Sequence, residues 1–253
     1  MYEFRDVNEQ KADTFLPSVS MTFDGKVFED EIQGYRTLNV SGREVISTEL
    51  FTHDVLKGIK TTGERLPQRD VVVQYELSEP NNKAFQDKFK QLRKLLTIGE
   101  PTYFSFRDDP ETFFLGRLSN MENVPPDTNT VISSFTLTCD SPYKFGKVVE
   151  TSGSIPIDTF YETPPLLIKL AVNQSTQTIE ITNGVETIEL VDSFKSGDSI
   201  VINVEQGFVA KNGEENTYSV ALNSDFENFV IENGQTITSP QGTVKVTMRE
   251  RWL

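Results

Sequence analysis

Apolar and polar residues alternate with a period of two along residues 131–139. Val131, Ser133, Phe135, Leu137 and Cys139 take one face, and Ile132, Ser134, Thr136 and Thr138 take the other. That period marks a half-buried strand. Asp140, Ser141 and Pro142 break it, and Tyr143, Lys144, Phe145 and Gly146 follow. Before this point the first 30 residues read as an entry segment and a hairpin over 21–28 that turns on Asp24-Gly25. Strand-like runs follow at 35–40, 43–50, 70–77, 101–106 and 112–118, with a turn at 108–110. Residues 51–68 have no clean period and hold Gly58, Gly63 and Pro67, the pattern of a long loop or an extended arm. One segment switches to helical spacing: Phe85, Phe89, Leu92 and Leu96 recur at i, i+4, i+7 and i+11, while Lys83, Gln86, Lys90 and Lys94 fall off the stripe. Ser78 or Asn81 can cap this helix, Pro80 lies near its first turn and Gly99 ends it, placing it near 80–98. Its apolar stripe predicts docking on a sheet.

Beyond Gly146 the runs become short and are separated by turn dipeptides. Strands are expected at 166–172, 178–182, 185–190, 200–204, 208–210, 218–222, 229–231 and 244–248. Asn183-Gly184 is a strong two-residue hairpin signal, and Asn212-Gly213, Asn233-Gly234 and Gln241-Gly242 punctuate the rest. Many short strands without a helical run predict a sandwich or jelly roll. The fold class is therefore mainly β: an N-terminal β-sheet domain over 1–140 with one docked α-helix, then a C-terminal β-sandwich domain over 141–253.

Composition sharpens the division. Up to Lys144 there are 17 Lys and Arg against 23 Asp and Glu, and after it 7 against 15. Both halves are acidic, and the second carries far fewer charges. A formal net charge of −14 disfavours nonspecific attraction to nucleic acid or anionic membrane. Eighteen Phe against four Met and one Trp predict cores built on aromatic anchors. The single cysteine excludes an intramolecular disulfide. The N-terminus has no apolar signal core, and no apolar run is long enough to span a bilayer.

Candidate chemistry is sparse. His53 is the only histidine, and no nucleophile elbow accompanies it. Cys139 shares a strand face with Phe135 and Leu137, which makes it a small buried hydrophobe rather than an activated thiolate. Asp108-Asp109 and Glu214-Glu215 are the acidic pairs that could hold Ca²⁺ or act as a glycosidase's carboxylates. Both sit in expected turns, where acids are favoured for solvation alone, and neither has calcium-loop spacing. No phosphate-binding loop, dinucleotide fingerprint or zinc pattern occurs. The residues themselves point to a binding or structural protein without a catalytic site or cofactor.

Several landmarks occur in the order of one family. They are Phe23-Asp-Gly-Lys, the run from Arg69 into the helix, Phe104-Ser-Phe-Arg-Asp-Asp-Pro110, and the strand ending in Phe-x-Leu-x-Cys139 before Asp140-Ser-Pro-Tyr-Lys. Ser196-Gly-Asp-Ser-Ile-Val-Ile-Asn203, Gly207-Phe-Val-Ala-Lys-Asn-Gly213 and Met248-Arg-Glu-Arg-Trp-Leu253 complete the series. Together they resemble siphophage distal tail proteins of phages infecting Gram-positive bacteria, across essentially the whole chain. The resemblance implies a homo-hexameric ring at the distal end of the virion tail. One face would meet the tail tube protein, and the other a tail-associated fibre or lysin-type protein. Galectin-like C-terminal sandwiches would project outward and offer docking places for receptor-binding or baseplate proteins. The genome would pass through the ring without specific binding, with acidic residues of the first half lining the channel. Synthesis would be in the host cytoplasm, with no membrane anchor. Asp140, Ser141, Pro142 and Tyr143 become an inter-domain joint, with Pro142 holding Ser141 extended and Tyr143 and Phe145 packing around it. Phe51, His53, Leu56, Ile59 and Leu66 become a candidate inter-subunit arm. The competing expectation is a carbohydrate-binding module for host cell-wall glycans. Its aromatic candidates, Trp252, Tyr161 and Tyr218, mostly sit like strand residues of a core.

Overall fold

The computed structural model describes residues 16–44, 47–157 and 161–253, and the chain divides into two compact units. The first comprises Met1–Pro110 and Phe114–Pro142, the second Glu111–Phe113 and Tyr143–Leu253. The entry segment before residue 16, and residues 45 and 46 of the strand expected at 43–50, lie outside the described residues.

In the first unit the elements are β1 (Met21–Phe23), β2 (Lys26–Val27), the single-turn α1 (Phe28–Glu31), β3 (Tyr35–Ser41), β4 (Glu49–Val55), β5 (Gly58–Arg65) and β6 (Arg69–Ser78). There follow α2 (Asn82–Leu96), β7 (Thr102–Phe106), β8 (Asp109–Met121) and β9 (Thr130–Cys139). The sheet runs β3-β6-β9-β8-β7-β1-β2 with antiparallel neighbours, while among the described residues β4 and β5 pair only with each other. Residues 111–113 of β8 belong to the second unit.

The alternation read in the sequence decides which side is buried. Val71, Val73, Tyr75 and Leu77 of β6 and Phe135, Leu137 and Cys139 of β9 are buried, and Phe85, Leu92 and Leu96 of α2 pack with them in one core. Asn81 is the helix cap, its Oδ1 accepting from the Ala84 N–H at 3.0 Å, so Pro80 lies just before the cap. A chain of rings links Phe106, Phe114, Phe104, Phe23, Phe28, Tyr35, Tyr75 and Phe135 in sequence, with centroids 5.4 to 6.3 Å apart. Each such pair contributes about 0.5–1.5 kcal/mol beyond area burial. Burial pushes the Tyr75 phenol up to about 12 and the Tyr35 phenol higher still, so both stay neutral at ordinary pH.

The second unit holds β10 (Lys144–Thr151), β11 (Leu167–Val172), β12 (Thr176–Thr182), β13 (Thr187–Phe194), β14 (Ser199–Asn203), β15 (Phe208–Lys211), β16 (Glu214–Glu215) and β17 (Gly242–Trp252). One layer is ordered β16-β15-β14-β11-β17-β10, and the β12–β13 hairpin forms the other. Ile179, Ile181, Ile188 and Leu190 of the hairpin meet Ile168, Leu170, Ile200, Ile202 and Val246 of the larger layer. Among the described residues this core is mostly aliphatic, with Phe194 and Phe229 its buried aromatic members and Phe226 packed against it. The expectation of aromatic anchors therefore holds for the first unit and not for the second.

Four local expectations are corrected. Residues 144–151 form β10, a strand the break at Pro142 concealed. Asn183-Gly184 does not make a two-residue turn. Asn183 Oδ1 accepts from the N–H groups of Val185 and Glu186 at 2.9 and 2.7 Å, which widens the loop, and the closing pair is Thr182 with Thr187. Residues 217–219 form a 3-10 turn followed by a single bridge from Val220 to Leu190, not a strand. Phe229 and Ile231 are buried from an irregular segment, so their apolar spacing reports burial and not strand geometry.

Candidate functional site

The segment expected to be a loop or arm is a β-hairpin. Its loop is Leu56-Lys57, closed by the pair Val55–Gly58, and Gly58 has φ 101. Leu56 and Lys57 keep negative φ, as positive values among described non-glycine residues occur only at Asp24 and Asn212. Glycine at Gly58 thus supplies the left-handed twist that the residues of the loop do not. Glu49 and Arg65 pair at the base at 2.6 Å, and the Arg65 guanidinium lies 5.9 Å over the Phe51 ring. Leu56 is fully exposed at the tip, Ile59 is 68% and Phe51 50% exposed, and His53, opposite Lys60, is exposed as well. Leu66 lies just past β5 and is half-buried. Phe51 and Val55 share one face, and Leu50 shares the other with Ile59. Four of the five residues proposed for the arm are thus on one projecting element. Among the described residues nothing covers the apolar side chains on the two faces of this hairpin, and a two-stranded hairpin alone is marginal in water.

The residues of the expected joint are each held within their own unit. Asp140 accepts from Arg117 at 2.5 Å, and the Pro142 carbonyl accepts from Arg69 Nε at 2.9 Å. Tyr143 opens the second unit, where its ring sits 5.4 Å from that of Tyr161 and beneath the Arg251 guanidinium at 4.8 Å. Ser141 is half-buried between them in sequence. Arg69 is the member that sequence reasoning missed. It is 4% exposed, and its donors also reach the carbonyls of Gly42 and Arg43. A charged residue at the start of a strand carries no periodic signal. The one hint in the sequence is its position immediately before a buried run.

The candidate chemistry disperses. Burial pushes the Cys139 thiol up to about 12 despite the opposing Arg69 charge, so it stays protonated and inert. Asp108 is engaged by Arg43 through two bonds of 2.7 and 2.8 Å, while Arg43 stacks 5.0 Å from the Phe106 ring. Among the described residues no group of three or more His, Cys, Asp and Glu side chains gathers to hold a metal. The bond from Arg43 holds the Asp108 carboxyl below the usual carboxylate range. A depressed folded-state pKa stabilises above the unfolded value of about 3.9 and loses that contribution as pH falls through the folded value. Asp108→Asn is therefore expected to lower stability by about 1 kcal/mol at neutral pH, because the pair is partly exposed. The difference from the parent should vanish in urea titrations near the bottom of that window. A deficit that persists unchanged in acid would assign the effect to packing instead.

With this geometry in view, the comparisons are specific. Residues 159–252 match the family model described as siphovirus-type tail component, C-terminal domain. The chain superposes on the crystal structure of the Dit (gp 19.1) protein of phage SPP1 with a TM-score of 0.75 at 20% identity, covering 92% of this chain and 99% of that one. That structure is described as a paradigm of the hub adsorption apparatus in phages infecting Gram-positive bacteria. A chain of the phage P2 baseplate in its activated conformation with Ca matches at 0.55 and 10% identity, over 86% of this chain and 90% of that one. The same baseplate with Sr gives the same values. No curated protein matches the sequence. Residues 159–252, most of the second unit, thus match a siphovirus-type tail component C-terminal domain, and the chain as a whole shares the fold of the SPP1 Dit protein. Both findings agree with the resemblance read from the order of the landmarks.

Proposed function

We propose that this protein is the structural hub of a siphophage tail tip, a homo-hexameric ring that joins the tail tube to the baseplate or tail-associated fibre and lets DNA pass through its centre. The observation that carries the reading is the agreement of fold over nearly the whole length of a protein described as an adsorption hub. In this reading the N-terminal domain, 1–140, builds the ring, and the β4–β5 hairpin reaches the neighbouring subunit by strand addition and apolar contact. Pro142 and Tyr143, at the division between the two units, form the joint from which the C-terminal domain presents docking surfaces to receptor-binding or baseplate proteins. The acidic excess of the first half suits a channel that repels phosphates, so the genome slides without sticking. No chemical step is required of the chain.

Negative-stain electron microscopy of the concentrated recombinant protein tests the ring. Six-fold particles with a central hole wide enough for duplex DNA are expected. Particles of another symmetry, or closed particles without a hole, would overturn the reading. A monomer should be re-examined with the tube protein added, and failure to form rings on that template would count equally against it.

A further inference from the structure

Helix α2 is a basic island on an acidic chain. It holds five of the 24 Lys and Arg residues but one of the 38 Asp and Glu residues. Lys83, Asp87, Lys90 and Lys94 recur at i, i+4, i+7 and i+11 on its exposed side, with Arg93 beside them. None of these four cations has an ion-pair partner among the described residues. Lys90 and Lys94, one turn apart, repel each other. The β4–β5 hairpin carries a complementary surface. Its cross-strand pairs Leu50–Glu64, Thr52–Thr61 and Asp54–Ile59 share one face, and all six residues are exposed. The opposite face holds Glu49–Arg65, Phe51–Gly63 and His53–Lys60. One face is thus apolar and acidic, and the other carries the cations. Asp54 and Glu64 have no ion-pair partner among the described residues, and no hydrogen bond there joins the hairpin to α2 within one copy.

We infer that the exposed stripe of α2 is the seat of the β4–β5 hairpin from a second copy of this chain. The inference rests on the ring proposed for this protein and names the receiving surface. Spacing supports it. Leu50 and Asp54 are about 13 Å apart along their strand, which sets the Glu64 and Asp54 carboxylates about that far apart. Lys83 lies about 10 Å from Lys90 and about 16 Å from Lys94 along the helix axis. A hairpin laid along α2 therefore brings one carboxylate to each end of the stripe. Thr52 and Thr61 then fall between, opposite Asp87, where a hydroxyl donates and a carboxylate would repel. Leu50 and Ile59 cover the aliphatic stems of the lysines. Duplex DNA suits the stripe less, because Asp87 interrupts the row of cations and the remainder of the chain repels phosphates. Seat and arm on different elements also meet the demand of a closed ring, where each copy gives one surface and receives the other.

The test uses the full chain in two charge-reversed forms, Lys83→Glu/Lys90→Glu on the helix and Asp54→Lys/Glu64→Lys on the hairpin. All four positions are exposed, so melting temperatures should stay near the parent value. Native mass spectrometry and negative-stain microscopy follow assembly at low ionic strength, where surface charges are least screened. Each form alone should need at least about ten-fold more protein than the parent to assemble. Mixed in equal amounts, they should assemble again as rings in which the two forms alternate, because each presents the charge that its neighbour lacks. Parent rings indifferent to both reversals would overturn this interface and leave the ring itself standing. Losses that mixing does not repair would do the same. Absence of parent rings, with or without the tube protein, would overturn both. Binding of a short DNA duplex by the parent, abolished by the helix reversal, would assign the stripe to nucleic acid and overturn the proposal.

Discussion

Replacing residues 49–65 with a short Gly-Ser linker should leave the melting temperature nearly unchanged while abolishing ring formation. The two halves of this expectation have separate causes. Neither hydrophobic core contains a residue of the hairpin, so its removal costs the folded chain little. Leu50, Phe51, Val55, Leu56 and Ile59 are all substantially exposed, however. Burying each against a neighbour would contribute about 1.5–3 kcal/mol before the entropy of association is charged. In a closed ring the loss recurs at every interface, so micromolar protein should run as monomer in native mass spectrometry. The milder pair Leu56→Asp and Ile59→Asp should raise the concentration needed for assembly by about 100-fold or more. Rings that persist at the parent concentration would eliminate the hairpin as the arm and leave hexamerisation to another surface.

Arg69→Met should destabilise the first unit by about 3 kcal/mol, although it keeps the aliphatic length of the side chain. Three backbone carbonyls, those of Gly42, Arg43 and Pro142, share its donors, and hydrogen bonds to charged groups contribute about 1.5–3 kcal/mol each before the penalty of burying the guanidinium is subtracted. Gly42 shows how tightly the turn is held. Its φ is 87, and an added Cβ would meet the Asp70 carbonyl at 2.0 Å. These part-buried carbonyls lose the guanidinium donor in the variant. Arg69→Lys should recover little, since a single ammonium cannot span three acceptors with the fixed fork of arginine. Urea unfolding followed by a first-unit probe measures the effect. An unchanged midpoint for Arg69→Met would mean that water satisfies these carbonyls and that the clamp has no energetic weight.

Much of the fold was legible because its elements are buried on one face. β6, α2 and β9 carry clean periods of 2 or 3.6, and structure and sequence agree on them to within a residue or two. The β4–β5 hairpin lacks such a period because every β4 residue is exposed; without a buried side there is nothing for alternation to record. β10 was hidden for the opposite reason. It buries Lys144 and Gly146, residues whose types do not advertise burial. Phe229 and Ile231 gave an apolar signal with no regular element behind it. The joint was half visible. Asp140, Pro142 and Tyr143 stood out as a break in the period, but Arg69 reaches the Pro142 carbonyl only through the pairing of β6 with β9.

The uneven placement of aromatic residues gives the molecule built-in optical reporters. The chain's one tryptophan, Trp252, lies on β17 in the second unit, whereas the continuous ring chain from Phe106 to Phe135 lies in the first. Indole fluorescence therefore reports from the second unit, and near-ultraviolet dichroism is weighted toward the asymmetric, tightly packed rings of the N-terminal sheet. Two spectroscopic channels on unmodified protein can thus distinguish whether a partner, a sugar or a denaturant acts on one unit or the other.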